Sequence, residues 1–448
     1  MKIIIAGAGD VGFHLAKLLS YESQDIYVID LDSDKLNYLD THLDVITTNG
    51  DATSIQTLID IGIAKTDLLI AVTDSQNTNF TVAAIGKKLG AKKTIARINN
   101  PEFINNPVFD FKELGVDAAI SPEELAAVEI KTLLNHSAFN DSIVFENGVL
   151  NMVGSTLSKS SPLLNLTVQQ AKNKFSDIDF IIIAVKRFEE SQTIIPRGDT
   201  LFKMADEVYF SCPKESISKI HKLIGKESVP IKDVMILGGS KIGEKSAKKL
   251  CQQKYNVKLI EKDKDKAFYL AEKLENTLVI QGDGRDLELL EEENIREMDA
   301  FIAVTGNSET NIMSCLVAKS KGVKKTIALV ENMDYINISQ TIGIDTLINK
   351  KLLAASEIFK HVRKGEILAL ANLKHVDAEV LEFQVSPNSK VTKNIIKDIR
   401  LSRNAVFGGV IRDGKALMTF GDFQIVADDK VVVFCLPDAI EDVEKLFK

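Results

Sequence analysis

Short apolar runs alternate with helix-like segments over the first part of the chain. Apolar residues between positions 75 and 89 recur at helical spacing and stop before Gly90, and a further helix is predicted from Pro122 to about Asn135. Short strands that alternate with helices are typical of a parallel β-sheet covered by helices. The predicted strands lie at residues 3–6, 26–29, 44–47, 68–72 and 94–98.

From about Asp141 the pattern changes to strand alternation interrupted by turn residues. It predicts a small α+β domain, which closes with a short helix at residues 216–224. Residues 225–232 carry charge, serine and Pro230, and we expect them to link this domain to the next. The predicted strands lie at residues 143–157, 180–188, 193–196 and 207–212.

The second half of the chain repeats the first, which predicts two copies of one two-domain module. The fold class is therefore α/β, with two Rossmann-like, doubly wound parallel-sheet domains that are each followed by a small α+β domain. We place the first pair at residues 1–136 and 141–225, and the second pair at residues 232–366 and 373–448. The aligned positions include Gly7 with Gly238, Gly12 with Gly243, Asp30 with Glu261, Asp51 with Asp283, Thr73 with Thr305, and Asp206 with Asp429.

The composition is that of an ordinary globular protein with a mildly acidic balance. The 448 residues include 55 Lys and Arg against 63 Asp and Glu, a net charge of −8, which does not fit the basic footprint of a nucleic-acid-binding protein. The longest apolar run, residues 180–185, is too short to span a membrane, and the apolar N-terminus is predicted to be the first strand rather than a signal peptide. Four widely spaced cysteines fit a reducing compartment and form no zinc motif.

A glycine-rich turn joins the first predicted strand to the first helix. Gly7, Gly9 and Gly12 have the spacing of a dinucleotide-binding fingerprint, and Asp30 ends the next strand. The three glycines allow a tight turn, the close approach of a pyrophosphate to the backbone, and close packing of helix against strand. The carboxylate accepts hydrogen bonds from the ribose hydroxyls and would repel a 2′-phosphate, so NAD(H) is favoured over NADP. The alternative is that the glycines serve packing alone. The candidate loop residues are Gly7, Ala8, Gly9, Asp10, Val11 and Gly12.

The second copy departs from this fingerprint at its middle glycine, where Ser240 stands beside Gly239. Glu261 keeps the ribose carboxylate, so this copy is either a second nucleotide site or a site that has lost its ligand. Asp10 of the first copy aligns with Lys241 of the second, which predicts NAD(H) at the first site and tolerance of, or preference for, ADP or ATP at the second. The candidate residues are Gly238, Gly239, Ser240, Lys241, Ile242, Gly243 and Glu261.

Polar residues that follow other strands are further candidates, because ligands of this fold bind at the carboxyl ends of the strands. Asp51 and Asp283 either edge an adenine pocket or form turns by accepting hydrogen bonds from their own backbone. Thr73, Asp74 and Thr305 either face the crevice or form turns.

Two basic features stand out from the rest of the sequence. Arg97 ends the fifth predicted strand and either reaches a phosphate or is a solvated edge residue; its counterpart, Leu329, cannot share this role. Residues 262–266 alternate lysine with aspartate, which we interpret as a solvated helix start.

Catalytic and metal-binding patterns are missing from the sequence. The six histidines have no triad or metal-ligand spacing, so we predict neither a catalytic residue nor a metal site. A dehydrogenase needs a substrate domain that places an acid or base over the nicotinamide, whereas only a small strand-rich module follows each Rossmann-like unit. Duplicated binding sites favour sensing or assembly over turnover, with a soluble NAD-dependent oxidoreductase as the alternative.

The order of domains and several motifs together resemble the TrkA family of peripheral subunits of the Trk potassium uptake system, which are built from paired RCK (regulator of potassium conductance) domains. The resemblance covers essentially the full length of the chain. Ser240 and Asn99 depart from the family pattern, the latter because relatives often carry a second arginine there. The motifs that carry the resemblance are residues 7–12, Asp30, 71–73, 96–98, 237–239, 258–261, 310–314 and 361–364.

The resemblance implies a cytoplasmic ring of four tandem subunits that binds nucleotides and gates an integral-membrane potassium-transporting partner. It implies no transmembrane segment in this chain and a peripheral location at the inner face of the cell membrane, held through the partner. Its implied first site comprises Gly7 to Val11, Asp30, Thr73, Asp74 and Arg97, and its second Gly239 to Gly243, Glu261 and Asp283.

Overall fold

The computed structural model describes residues 1–20, 25–100, 110–135, 139, 141–187, 193–226, 230–332, 335, 343–359, 361, 367–372 and 378–447. Some positions discussed above lie outside this part of the chain. They are His136, His375, residues 362–364, residues 227–229 of the predicted linker, and the domain limits at residues 136, 366, 373 and 448.

The first parallel sheet has the strand order β3-β2-β1-β4-β5-β6, with every pair parallel. The order reverses between β1 and β4, so a crevice opens at the carboxyl ends of these two strands, where this fold binds ligands. The strands are β1 (Lys2–Ala6), β2 (Asp25–Asp30), β3 (Ile46–Asn49), β4 (Leu68–Ala71), β5 (Lys93–Arg97) and β6 (Ala118–Ile120). The helices are α1 (Asp10–Ser20), α2 (Ser33–His42), α3 (Ile55–Asp60), α4 (Gln76–Lys88) and α5 (Pro122–Asn135).

An antiparallel sheet follows, in the order β10-β9-β11-β8-β7. Its apolar face packs under two short helices, α6 (Val168–Lys174) and α7 (Ile217–Leu223). The strands are β7 (Asp141–Phe145), β8 (Leu150–Thr156), β9 (Ile181–Lys186), β10 (Thr193–Ile194) and β11 (Glu207–Pro213).

The second half repeats both sheets, in the orders β14-β13-β12-β15-β16-β17 and β18-β19-β22-β20-β21. The α/β fold class with two Rossmann-like units, each followed by a small α+β unit, is therefore confirmed. The strands are β12 (Asp233–Leu237), β13 (Asn256–Glu261), β14 (Thr277–Gln281), β15 (Ala300–Ala303), β16 (Lys325–Leu329), β17 (Thr346–Ile348), β18 (Ile367–Asn372), β19 (Glu379–Gln384), β20 (Ala405–Arg412), β21 (Lys415–Leu417) and β22 (Lys430–Cys435). The helices are α8 (Lys241–Gln252), α9 (Lys264–Lys273), α10 (Leu287–Glu292), α11 (Ser308–Ser320), α12 (Lys350–Phe359) and α13 (Ile440–Phe447).

Some strand predictions were wrong in their limits: the strand predicted at 193–196 ends at Ile194, and two others differ for a clear reason. The strand predicted at 44–47 begins two residues later, because Leu43 still caps α2 and Ile46 is the first residue that pairs with β2. The strand predicted at 143–157 is two strands, because Glu146 and Gly148, at φ +45° and +96°, form a tight turn between β7 and β8.

Each last helix of a parallel-sheet unit buries its apolar face against the other half of the chain. Helix α5 packs against α8, and α12 packs against α1. This exchange was not predicted, and it places the start of α12 beside the glycine-rich turn at the start of α1. The residues that join the opposite core are Ala126, Ile130, Leu133 and Leu134 from α5, and Ala354, Ala355, Ile358 and Phe359 from α12.

A buried ion pair recurs in both antiparallel units and explains why two aspartates align between the halves. Asp206 pairs with Arg187, and Asp429 pairs with Arg412. Two nitrogens of the Arg412 guanidinium, Nε and Nη2, lie 2.7 and 2.8 Å from the two oxygens of Asp429, which is 1% exposed. This bidentate geometry makes a strong, directional contact.

Replacing Asp429 with alanine leaves the partly buried guanidinium of Arg412 without its counter-charge. We expect Asp429→Ala to lower the free energy of unfolding by about 3 kcal/mol, because breaking a buried pair costs far more than breaking an exposed one. As a matched control, Asp422→Ala removes an exposed pair with Lys397 and should leave the free energy of unfolding nearly unchanged. Urea unfolding followed by circular dichroism measures both, and equal losses would contradict the prediction.

Glu207 on β11 titrates near neutral pH. Burial, together with the nearby Asp141 carboxylate, raises the pKa of Glu207 to about 7. Because an unfolded glutamate has its ordinary pKa of 4.5, stability falls as the pH rises from that value and levels off above the pKa of the folded state. We expect the variant Glu207→Gln to gain stability over wild type, and the gain to be larger at about pH 8 than at about pH 4. Thermal unfolding of both proteins at the two pH values measures this difference. The same difference at both pH values would refute this prediction.

Candidate functional site

The first glycine-rich turn leaves its middle position open. A Cβ on Gly12 would lie 1.8 Å from the carbonyl oxygen of Gly7, and a Cβ on Gly7, at φ +112°, would lie 2.9 Å from the backbone nitrogen of Thr73. By contrast, a Cβ on Gly9 would meet nothing within 4 Å. The outer glycines therefore serve close packing, and the space over Gly9 fits the approach of a pyrophosphate.

The start of α1 presents unpaired backbone donors beside this open space. The N–H groups of Asp10, Val11 and Gly12 precede the first intrahelical hydrogen bond, and the N–H of Phe13 donates to the carbonyl of Gly9 at 2.8 Å. Gly9 has no side chain that could cap the helix. The turn therefore fits an anion, because free N–H groups and the helix dipole both favour negative charge there.

Asp30 ends β2 directly beside the turn. Its Oδ2 accepts the N–H of Ala8 at 2.6 Å, and its Oδ1 accepts the N–H of Asp32 at 2.9 Å. A carboxylate has about four lone-pair positions, so each oxygen keeps capacity for a further hydroxyl donor. Asp30 is thus fixed in orientation and can still accept ribose hydroxyls.

Thr73 is held by a buried asparagine whose importance the sequence did not reveal. The N–H and the hydroxyl of Thr73 donate to Oδ1 of Asn79 at 2.8 and 2.7 Å, and Nδ2 of Asn79 donates to the carbonyl of Arg97 at 3.0 Å. In the second unit, Thr305 and Asn311 repeat the same contacts. These asparagines tie together the carboxyl ends of β4 and β5 in the first unit, and of β15 and β16 in the second, so they fix one side of each crevice.

The surroundings of Arg97 and Asp51 bear on two of the alternatives that the sequence left open. The Arg97 guanidinium is 17% exposed and lies 3.8 Å from both Asp74 and Glu123, so it is not a solvated edge residue. Asp51 accepts the N–H and the hydroxyl of Thr53, each at 2.8 Å. Asp51 therefore forms an Asx turn, and these hydrogen bonds hold the pKa of its carboxyl below the usual range.

Ser240 changes the second glycine-rich turn. Its hydroxyl donates to the carbonyl of Val304 at 2.7 Å and accepts the N–H of Gly243 at 3.3 Å, so Ser240 caps α8. Gly239 donates its N–H to Oε2 of Glu261 at 3.0 Å, as Ala8 does to Asp30. The second turn thus keeps the carboxylate contact, but one of its phosphate donors is already used by the cap.

The second crevice is bordered by three cations, two of which have no cationic counterpart in the first unit. Its cavity of about 410 Å³ is lined by Glu261, Lys262, Lys266, Asp283 and Arg285, among others. Lys266 lies 3.1 Å from Glu261, and Lys262 lies 3.0 Å from Asp283. In the first unit the three basic positions correspond to Leu31, Lys35 and Thr53.

The two carboxylates of the second crevice remain ionised because of these neighbours. Burial alone would raise the pKa of Glu261, but the N–H of Asp263 and the ammonium of Lys266 outweigh it and lower the pKa. The guanidinium and N–H of Arg285 hold the pKa of Asp283 far below its usual range. The lysine–aspartate run does begin a helix, as predicted, since Asp263 caps α9; in addition, its lysines line the crevice.

Groups capable of other chemistry are few in the described part of the chain. There, no helix is long and apolar enough to cross a membrane, and no three His, Cys, Asp or Glu side chains form a metal cluster. The four cysteines are free, and burial raises the pKa of the Cys212 thiol to about 12.

Known sequence families match both units of each half. The TrkA-N domain matches residues 3–122 and 234–350, and the TrkA-C domain matches residues 152–225 and 380–448. Proteins named Trk system potassium uptake protein TrkA are 34% identical in Vibrio alginolyticus and in Haemophilus influenzae, each over 100% of this chain and 99% of the relative. A homolog from Methanosarcina mazei is 33% identical over the full length of both chains.

Solved structures share the fold at low sequence identity. The GsuK RCK domain has a TM-score of 0.61 at 15% identity and covers 100% of this chain and 94% of its own. The GsuK channel bound to NAD has a TM-score of 0.60 at 14% identity and covers 100% of this chain and 78% of its own. Full-length identity above 30%, two copies of both family domains and the shared fold lead to one conclusion: the chain belongs to the TrkA family.

Proposed function

We propose that this chain is a nucleotide-sensing regulatory subunit of a Trk-type potassium uptake system. Membership of the TrkA family supports this role, because the full-length relatives are named as Trk system potassium uptake proteins. The proposal includes an integral-membrane potassium-transporting partner and a homo-tetrameric ring of tandem subunits. It places the chain in the cytoplasm, peripheral to the inner face of the cell membrane through that partner.

The first site is proposed to bind NAD(H). The observation that carries this assignment is the position of the Asp30 carboxylate beside an open glycine turn and the unpaired N–H groups of α1. The donors fit a pyrophosphate, and the carboxylate fits the ribose hydroxyls of an adenosine without a 2′-phosphate. Thr73, Asp74 and Arg97 border the same crevice.

The second site is proposed to bind ADP or ATP. Its glycine turn offers one donor fewer, because Ser240 occupies the N–H of Gly243. Its border carries Lys262, Lys266 and Arg285, and Lys241 is exposed at the start of α8. Additional positive charge favours a ligand with more phosphate charge than a dinucleotide carries.

Gating rather than catalysis is proposed for both sites. None of the residues that line the second cavity is a histidine or a cysteine. Among the described histidines, burial lowers the pKa of His14, and His221 packs against Phe139 in the core of the first antiparallel unit. Ligand binding then acts by favouring one conformation over another, within the limit set by its different affinities for the two.

Removing the Asp30 carboxylate tests the first site. We expect Asp30→Ala to weaken NADH binding at least several-fold, because the ribose hydroxyls lose a charged acceptor worth about 1.5–3 kcal/mol. Asp34→Ala, an exposed acid on the next helix, is the matched control and should leave affinity unchanged. Fluorescence titration with NADH measures both, and equal affinities of wild type and Asp30→Ala would overturn the assignment.

Exchanging the charges at the two helix starts tests the different preferences of the sites. We expect the double variant Asp10→Lys with Lys241→Asp to shift ATP preference toward the first site, since each charge contributes about 1 kcal/mol near a protein surface. Lys248→Asp, an exposed lysine further along α8, makes the same charge reversal as Lys241→Asp away from the turn and should leave the preference of the second site unchanged. Competition titrations with NADH and ATP at low and moderate salt measure the shift, and unchanged preferences would refute the electrostatic explanation.

A further inference from the structure

The second half of the chain supplies a cation to the first glycine-rich turn. Helix α12 belongs to the second unit by sequence, yet its apolar face is buried in the core that contains α1. The packing brings Nζ of Lys351, in the first turn of α12, to 2.5 Å from Oδ2 of Asp10, the first residue of α1. A residue more than three hundred positions away thus borders the first candidate nucleotide site.

The Lys351 ammonium lies between two carboxylates that belong to different halves of the chain. It is 2.5 Å from Asp10 and 3.6 Å from Glu331, which follows β16 of the second unit. The Lys351 side chain is 21% exposed, whereas that of Asp10 is 72% exposed. Because an exposed ion pair is weak, the contact with Asp10 can be exchanged for a better anion at small cost.

The place where that better anion would bind is the turn itself. The unpaired N–H groups of Asp10, Val11 and Gly12 favour an anion at the start of α1, and the ammonium of Lys351 contacts the side chain of Asp10, the first residue of that helix. A pyrophosphate carries two negative charges, so it competes with the single carboxylate for Lys351. The four-carbon chain of lysine allows its ammonium to move between neighbouring acceptors.

We infer that Lys351 is a phosphate-binding residue of the first nucleotide site, contributed by the second half of the chain. Asp10 holds the ammonium next to the turn until the pyrophosphate replaces it. This inference rests on the proposed NAD(H) binding at the first site. It also means that nucleotide binding at the first site changes the contact between Lys351 and Asp10, and Lys351 lies on α12, a helix of the second unit.

The residue of the first half that corresponds to Lys351 is not a cation, so the contribution of a cation by the opposite half is specific to the first site. In the sheets, β6 and β17 occupy the same place, so Glu123 corresponds to Lys351, each lying three residues beyond its strand. Glu123 lies 3.8 Å from Arg97 of its own unit, and the adjacent Glu124 pairs with Lys245 and Lys249 of α8 at 3.0 and 2.5 Å. The first half therefore supplies an acid, Glu124, to the second unit, whereas the second half supplies a cation to the first.

Neutralising Lys351 tests the inference in the full-length chain, with the second site disabled by Glu261→Ala. We expect Lys351→Gln to weaken NADH binding about five- to tenfold and to reduce its dependence on salt, because one phosphate contact is lost. Lys350→Gln is the matched control, since Lys350 starts the same helix turn but pairs with Glu331 at 2.5 Å. Lys351→Arg keeps the charge and should restore affinity, which separates a charge effect from misfolding.

A purely structural role for Lys351 predicts a different result in the absence of Asp10. If Lys351 binds phosphate, Lys351→Gln still weakens NADH binding when it is combined with Asp10→Asn. If Lys351 serves only to neutralise Asp10, the combined variant binds as Asp10→Asn does, and the inference is overturned. Absence of NADH binding by the parent chain would overturn the proposed function itself, whereas normal binding by Lys351→Gln would overturn only this inference.

Discussion

The packing of each last helix onto the opposite half is the constraint on which the rest of the structure depends. Separating the halves would expose the apolar faces of α5 and α12, so the two crevices are held in a fixed relation by buried surface. The first turns of these helices carry the charged residues that reach the neighbouring unit. As a result, Lys351 meets the first glycine-rich turn, and Glu124 meets the lysines of α8.

The two crevices share one backbone plan and differ in a few side chains. In both, an acidic residue accepts an N–H of the glycine turn, and a buried asparagine ties the two strands on one side of the crevice, β4 to β5 or β15 to β16. Ser240 uses a donor that Gly9 leaves free, and two cations, Lys262 and Arg285, stand around the second cavity where the first unit has Leu31 and Thr53. Both copies thus keep the turn, and the few substitutions around it are the basis for the different nucleotides proposed for the two sites.

Local patterns predicted the fold well, because strand and helix periodicity depend on nearby residues. Helix α4 was predicted within a residue at each end, since Ser75 caps its start and Gly90, at φ +110°, follows its end. Strand β6 has only three residues and leaves no periodic signal. The pairing of Asp10 with Lys351 and the position of Lys262 in a crevice follow from helix packing and strand order, which periodicity does not encode.

Native mass spectrometry of the purified full-length chain, with NADH and ATP added together, tests the central claim that the halves bind different nucleotides in one ring. It reads the assembly size and the number of each ligand at the same time. The account predicts a tetramer in which each chain carries one NADH and one ATP. A monomer, or displacement of one nucleotide by the other from a single shared site, would contradict it.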